Sequence, residues 1–245
     1  MLRARDLAVR ERTRLVISAR SMVKAVGERL KACAPEAVTA DLVKEARVEI
    51  RRFAEPLLKV VETLNEQIAV YDAAIAEMYT RYGEVKLLDQ VYGIGPLIAL
   101  TFLLTIEDPE RFAHSRDVGP YFGFRPKKRD SGESQPELGI SKEGDKMVRW
   151  LLVQAAHTNL RRGAPDSDLR RWGMAMLEQK DGEAKKKGQR RGKKKVVVVA
   201  MARKLAVLLH RLWVTGEVYD PLYSAKQAAR KAKAKAGGKS VKAAA

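Results

Sequence analysis

The sequence predicts an all-α protein in which a helical coiled-coil hairpin precedes a helical domain that contains a helix-hairpin-helix element. Apolar residues recur in steps of four and three across residues 1–82, which is the spacing of one helix face. The Gly93-Ile94-Gly95 turn then separates two further helical patterns. We therefore expect a coiled-coil region over 1–83, a second domain over 84–223 and a basic disordered tail over 224–245.

The first region consists of two apolar-periodic stretches that are separated at Pro35. Residues 1–31 are predicted to be helical, and the pattern resumes over 37–82, where Pro56 either opens a new helix or kinks one. Three heptads of apolar positions follow, at Leu57, Val61, Leu64, Ile68, Tyr71, Ile75 and Met78. This pattern predicts a coiled-coil hairpin or bundle and favours a homo-oligomer.

The second domain shows shorter helical patterns between loop signals. Helices are predicted at about 85–92, 95–106, 115–123 and 143–160. A charged linker over 180–195 separates them from the apolar stretch Val196–Val214, which is expected to form a helix that packs back on this domain.

Positive charge dominates the composition. The chain has 48 Lys+Arg against 30 Asp+Glu, a formal net charge of +18. Such an excess favours a polyanionic partner, nucleic acid before an anionic membrane surface, because lysine and arginine displace the counterions of phosphates. Basic runs lie at 185–195 and after Asp220. They are compatible with solvated, disordered arms and equally with arms that bind nucleic acid.

The cysteine count and the N-terminal sequence bear on the compartment. Cys33 is the one cysteine, so a disulfide framework and a cysteine-based zinc site are excluded and a reducing cytoplasm is favoured. The basic start is not followed by an apolar run, and no stretch of 18 apolar residues occurs. We expect a cytoplasmic protein without a membrane partner.

Two segments are candidates for holding a nucleic-acid backbone. At Gly93-Ile94-Gly95 the glycines permit a tight turn, and the amides at the start of the next helix can hold a phosphate. Gly139, Lys142 and Lys146 surround a second predicted helix start, where Ser141 is a suitable N-cap. An ordinary helical hairpin and a capped surface helix remain the alternatives.

Ser131 is the candidate nucleophile. It lies in a polar loop behind Lys127, Lys128 and Arg129, whose charge suits the stabilisation of a phosphoryl transition state. A serine before glycine is also a common turn residue. No histidine-based triad is indicated, because the three histidines are scattered, at His114, His157 and His210.

Acidic residues do not form a convincing metal cluster in this sequence. The closest acid pairs are Glu107-Asp108 and Asp166/Asp168, and both have the context of helix-capping or loop acids. We therefore expect no metal or other cofactor to be bound by this chain itself.

The order of these motifs resembles the C-terminal domain of the Insertion Sequence 110 family of transposases. The resemblance covers residues 85–223, and 1–82 resemble the coiled coil that precedes this domain. The motifs are Val91-x-Gly-Ile-Gly-Pro96, Phe112 with Arg116-Asp117, Tyr121-Phe122-Gly123-Phe124-x-Pro126, Ser131-Gly132, Leu138-Gly-Ile-Ser-Lys142-x-Gly144-Asp145, Arg149-x-Leu-Leu-Val-Gln-Ala155-Ala156, Ala200-x-Ala-Arg-Lys-Leu205 and Tyr219-Asp-Pro221.

The resemblance implies a prokaryotic, nucleoid-associated DNA transposase or site-specific recombinase. Ser131, which follows the Gly-x-x-Pro element and precedes glycine, matches the serine thought to attack DNA and form a covalent intermediate. Family members carry an N-terminal RuvC-like fold in which four acidic residues bind magnesium. Some members use a noncoding RNA to recognise DNA, so DNA and a guide RNA are the implied partners.

The chain departs from the family pattern at its start, which lies close to where the coiled coil begins. The RuvC-like domain is therefore expected to be absent, as in a truncated or decayed reading frame, half of a split protein, or a start site placed too late. Magnesium is expected only with a separate acidic domain, and the chain alone is expected not to cut DNA. The alternative function is a non-catalytic nucleic-acid-binding protein, and a coiled-coil assembly factor is a third.

Overall fold

The computed structural model describes residues 1–128, 131, 138–186, 194–224 and 226–227, and within them the prediction of an all-α protein is confirmed. Eight α-helices lie in this part of the chain, and it contains no β-strand beyond one isolated antiparallel bridge between Pro126 and Ile140. The chain divides into two compact units, Met1–Arg81 and Tyr82–Ala245. None of the described helices combines the length and the apolarity that crossing a bilayer requires.

The first unit is a hairpin of two long helices, α1 (Leu2–Ala25) and α2 (Val48–Arg81). The apolar positions that predicted the coiled coil divide by burial: Val61, Ile68 and Ile75, seven residues apart, are buried. The four heptad residues between and beside them are only half-buried. From Val61 onward α2 therefore buries one position per heptad, whereas its first part also buries Ile50, Ala54 and Leu58.

The helix limits of this unit differ from the sequence-based ones. The first helix ends at Ala25, and residues 37–47 do not belong to the second helix. The segment between the two helices contains 3₁₀ turns at Pro35–Ala37 and Ala40–Val43. Val43 is 1% exposed, so its burial against the hairpin core outweighs the helical spacing of this stretch. Pro56 lies inside α2, and no new helix begins there.

The second unit surrounds two apolar helices, α4 (Pro96–Ile106) and α8 (Lys194–Thr215). The latter packs on α3 (Val85–Leu88), α5 (Val118–Tyr121), α6 (Lys146–Asn159) and α7 (Asp168–Lys186). Six of the eleven residues of α4 are buried, so this helix contributes to the core of the second unit along most of its length. The prediction that Val196–Val214 packs back on the domain is confirmed.

Several limits in this unit also differ from expectation. The region predicted as one helix over 115–123 is a 3₁₀ turn, Ser115–Asp117, that continues into α5. Residues 180–186 belong to α7 and residues 194–195 begin α8, so the predicted linker over 180–195 differs from the structure at both ends. Residues 187–193 and 228–245, which contain much of both basic runs, lie outside the described residues.

Candidate nucleic-acid interface

The predicted helix-hairpin-helix element is not confirmed in that form, because α3 is a single turn. The glycine turn between α3 and α4 does require glycine. Gly93 has φ +85°, and a Cβ there would lie 3.0 Å from the Asn159 side-chain nitrogen. That nitrogen donates to the Tyr92 carbonyl at 2.7 Å and to the Ala155 carbonyl at 2.9 Å. Asn159 therefore fastens the turn to the C-terminal end of α6.

The side chain of Ile94 is 4% exposed, so this turn can touch a ligand only through its backbone and its rim. Gly95 is the N-cap of α4 and Pro96 is its first residue. The amides of the first helical turn have no carbonyl within the helix to bond, which leaves them available to an acceptor from outside. A Cβ at Gly95 would meet no atom within 4 Å.

Two backbone hydrogen bonds close the base of the segment that carries Ser131. Lys127 N–H donates to the Gly139 carbonyl at 2.8 Å, and Ser141 N–H donates to the Arg125 carbonyl at 2.9 Å. We call residues 126–140, between and including the bridged pair Pro126 and Ile140, the serine loop. Ser131 is exposed within it. Arg129 and Gly132, also named from the sequence, lie outside the described residues.

Below the serine loop, two backbone segments cross in contact. Gly123 has φ +73° and Gly144 has φ +77°. A Cβ on Gly123 would lie 2.1 Å from the Glu143 carbonyl oxygen, and one on Gly144 would lie 2.0 Å from the Tyr121 carbonyl oxygen. Neither position accommodates a side chain. We call this contact, between residues 121–125 and 141–145, the glycine crossing.

Charged side chains reinforce the glycine crossing. The Arg149 guanidinium donates to the carbonyls of Phe122 at 3.0 Å and Glu143 at 2.9 Å, so it joins both segments. Arg125 forms an ion pair with Glu143 at 2.6 Å. The loop above is thus held at its base by hydrogen bonds, an ion pair and close backbone contact, while the serine itself faces solvent.

The start of α6 corrects one sequence-based assignment. Asp145, not Ser141, is the N-cap, and its carboxylate accepts from Val148 N–H at 2.7 Å. Lys142 lies before the helix with φ +61°. Gly139 therefore belongs to the serine loop, and Lys142 belongs to the glycine crossing. Of the three residues proposed for this helix start, Lys146 alone lies in its first turn.

Replacing Asp145 with alanine should lower the free energy of unfolding by about 1 kcal/mol, the usual cost of losing an N-cap carboxylate. Ser141→Ala is the matched control, since the Ser141 hydroxyl accepts only a long 3.4 Å hydrogen bond from Glu143 N–H. Urea denaturation of both variants measures the difference. A larger loss for Ser141→Ala would contradict the assignment of the cap.

Four lysines lie around the serine loop and the helix start beside it, namely Lys127, Lys128, Lys142 and Lys146. All four are exposed, and none forms an ion pair with another residue that the structure describes. Unneutralised ammonium groups on one surface attract phosphate. Exposed Trp150, four residues after Lys146 on α6, was not singled out from the sequence.

The predicted backbone-binding segments lie at opposite ends of α6. The serine loop adjoins its N-terminus, and the glycine turn contacts its C-terminal residues. With a rise of 1.5 Å per residue, the fourteen-residue helix separates them by about 20 Å. The structure therefore brings Lys127, Gly139, Lys142 and Lys146 together with the loop of Ser131, and it leaves Gly93–Gly95 apart from them.

His210 and the acids Asp108 and Asp166 have structural partners. His210 is 1% exposed and its ring nitrogens contact the Ser115 hydroxyl and the Pro109 carbonyl, each at 3.0 Å. Asp108 caps a 3₁₀ turn, and hydrogen bonding to Arg171 lowers the pKa of Asp166. Among the described residues, no group of three or more histidine, cysteine or acidic side chains could hold a metal ion. These residues do not fit a magnesium site.

The sequence did not indicate the glycine crossing. Gly123 stands more than twenty positions before Gly144 and Arg149 along the chain, and only the fold shows that they meet. The available signal was the position of both glycines next to an exposed loop with basic residues.

Comparison with known proteins shows similarity to insertion-sequence transposases. Residues 85–170 match the model of the family described as Transposase IS116/IS110/IS902. The chain is 26% identical over 226 residues to the transposase for insertion sequence element IS1111A of Coxiella burnetii, covering 89% of this chain and 59% of that protein. It is 26% identical over 229 residues to a probable family 20 transposase of Pseudomonas aeruginosa, covering 90% and 64%.

A putative transposase of Sinorhizobium fredii is 36% identical over 129 residues, which are 52% of this chain and 30% of that protein. The chain thus spans about three fifths of the first two relatives' length. The matched segment contains the glycine turn, the serine loop, the glycine crossing and α6. The resemblance found in the motifs is confirmed for this segment: residues 85–170 belong to the IS116/IS110/IS902 family of transposases.

Proposed function

We propose that this chain is the DNA-binding and serine-bearing part of an insertion-sequence transposase. The observation that carries the proposal is the exposure of Ser131 in a loop whose base is fixed by the glycine crossing and flanked by exposed lysines that form no ion pair with another described residue. A fixed base with an exposed hydroxyl above it holds a nucleophile near a bound backbone without burying it.

In the proposed reaction the Ser131 Oγ forms an ester bond to a backbone phosphorus while the bond from that phosphorus to one deoxyribose oxygen breaks. The serine proton leaves, and the displaced oxygen takes up a proton to become a hydroxyl. A hydroxyl of the recipient strand then attacks the same phosphorus and releases the serine, so strands are exchanged without net hydrolysis. Lys127 and Lys128 stabilise the negative charge that grows on the phosphoryl oxygens.

Among the described residues of this chain, no group of three or more histidine, cysteine or acidic side chains could hold magnesium. We propose that acidic residues of a separate nuclease domain bind it, as the family resemblance implies. We also propose a guide RNA, which the family resemblance implies, and self-association through the first unit, which its heptad pattern favours.

DNA binding is tested by the salt dependence of affinity. Neutralising Lys127 and Lys128 together with glutamine should weaken binding to duplex DNA and make the slope of log affinity against log salt shallower by about 2, since each lost phosphate contact removes about 0.9. The measurement is fluorescence anisotropy with a labelled duplex over a salt series.

The control is the double variant Lys44→Gln, Lys59→Gln, which removes the same charge from lysines that pair with Asp41 and Glu55 in the first unit. Its slope should stay at the wild-type value. Equal losses in both double variants would show that only net charge matters and would count against a specific interface at the serine loop.

A non-catalytic nucleic-acid-binding protein is the second function that the same surface would serve. A protein with this function would bind DNA in the same way. It differs in one prediction, because replacing Ser131 would not change strand transfer. Strand-transfer assays of Ser131→Ala distinguish the two functions.

A further inference from the structure

A cavity of about 920 Å³ lies within the second unit between α7, α8 and the segment 217–224. It is separate from the serine loop, since none of the residues that line it belongs to 126–140. Its size falls within the range of about 300–1,000 Å³ that is common for sites of small ligands.

Aromatic rings and cations line this cavity together. The Lys204 ammonium nitrogen lies 4.4 Å from the centre of the Trp172 ring, a cation–π contact. Tyr219 and Tyr223 contribute two further rings from the segment after α8, and Arg203 contributes a guanidinium. The lining therefore offers flat apolar surfaces beside positive charge.

The acids of the lining are engaged with protein groups. The Asp168 carboxylate accepts from Ser224 N–H at 2.6 Å. Glu217 pairs with Arg211 at 3.6 Å, and Asp220 pairs with Lys226 at 2.9 Å. Neither Arg203 nor Lys204 has a carboxylate partner among the described residues, so the cavity retains two cations that an anion would neutralise.

Tyr219 adds no charge of its own to the lining, whereas Asp168, whose partner is a backbone N–H group, keeps its negative charge there. Burial, together with the nearby carboxylates of Asp168 and Asp220, raises the pKa of the Tyr219 phenol, so this group is neutral at physiological pH. Arg203 packs closely on Gly119 of α5, since its methylene stem lies 2.8 Å from the position that a Cβ on Gly119 would take.

We propose that this cavity binds one unpaired nucleotide, with its base against the Trp172 ring and its phosphate on Arg203 and Lys204. Every base has a flat face that stacks on an aromatic side chain, and guanidinium and ammonium groups are the protein partners of phosphate. A base inside a duplex is already stacked and paired, so the site selects single-stranded nucleotides. The inference rests on the proposed nucleic-acid function and adds a site for unpaired strand at a distance from Ser131.

The test compares the affinity of the full chain for a blunt duplex and for the same duplex with a single-stranded thymidine overhang. Wild type should prefer the overhang on the order of tenfold, the contribution of stacking one base. Trp172→Leu should reduce that ratio to about one. Lys204→Gln, which alters an exposed side chain and so leaves the core intact, should reduce the ratio severalfold.

Lys195→Gln is the matched control, because it removes one charge from an exposed position of the same helix that does not line the cavity. It should lower both affinities by one common factor. An overhang preference that is missing in wild type, or one that survives in both cavity variants, would overturn the proposal.

Thymidine monophosphate distinguishes this inference from the proposed function. If wild type binds neither duplex, the DNA-binding function fails. Saturable quenching of tryptophan fluorescence by the mononucleotide, lost in Trp172→Leu, would then assign the cavity to a free nucleotide. If wild type binds neither duplex and thymidine monophosphate does not quench the tryptophan fluorescence, the cavity proposal fails as well.

Discussion

Ser131→Ala is expected to lower strand transfer by about a thousandfold or more, while the affinity for DNA stays within about twofold of wild type. A nucleophile that forms a covalent intermediate has no substitute once its hydroxyl is removed. The exposed hydroxyl of Ser131 contributes little to folding or to charge, so binding and stability should be unaffected. The assay combines the chain with the magnesium-binding nuclease domain of a related transposase.

Ser141→Ala is the control for this experiment, because it removes another hydroxyl from the base of the same loop. Its strand transfer should equal that of wild type. Unchanged transfer in Ser131→Ala would identify the chain as a non-catalytic nucleic-acid-binding protein. Loss of DNA binding together with transfer would assign Ser131 a structural role.

Gly144→Ala is expected to have the largest effect on stability, a loss of at least about 3 kcal/mol in the free energy of unfolding. The new Cβ would overlap the Tyr121 carbonyl oxygen at 2.0 Å, and alanine is strained at φ +77°. The main chain cannot move aside as a flexible side chain can, so the two segments of the glycine crossing must separate. Urea denaturation measures the loss.

Gly139→Ala tests whether this loss comes from the glycine crossing. Gly139 lies in the same loop region, has no atom within 4 Å of a Cβ position and does not have a positive φ. Its replacement should change the free energy of unfolding by less than about 0.5 kcal/mol. Similar losses for the two variants would contradict the role assigned to the glycine crossing.

The spacing of apolar residues along the sequence correctly predicted α8 and the buried face of α2. The apolar stretch that became α8 was recognised because its spacing matches one helix. Val61, Ile68 and Ile75 of α2 were placed on one face for the same reason. Helix limits failed where burial of a single side chain decided the backbone, as at Val43.

The candidate site was predicted in its residue types and only partly in its geometry. The sequence placed Lys127, Lys128 and Ser131 in one exposed loop, because they are close neighbours along the chain. It could not show that Asn159 fastens the turn at Gly93, since the hydrogen bond from Asn159 joins residues 67 positions apart.

The most direct test of the proposed function is to locate the covalent bond between protein and DNA. In the complemented reaction, the protein–DNA adduct would be trapped, digested and analysed by peptide mass spectrometry for the nucleotide-bearing residue. The account predicts a phosphodiester on the Ser131 hydroxyl, absent from Ser131→Ala. An adduct on any other residue, or efficient strand transfer without a covalent adduct, would contradict it.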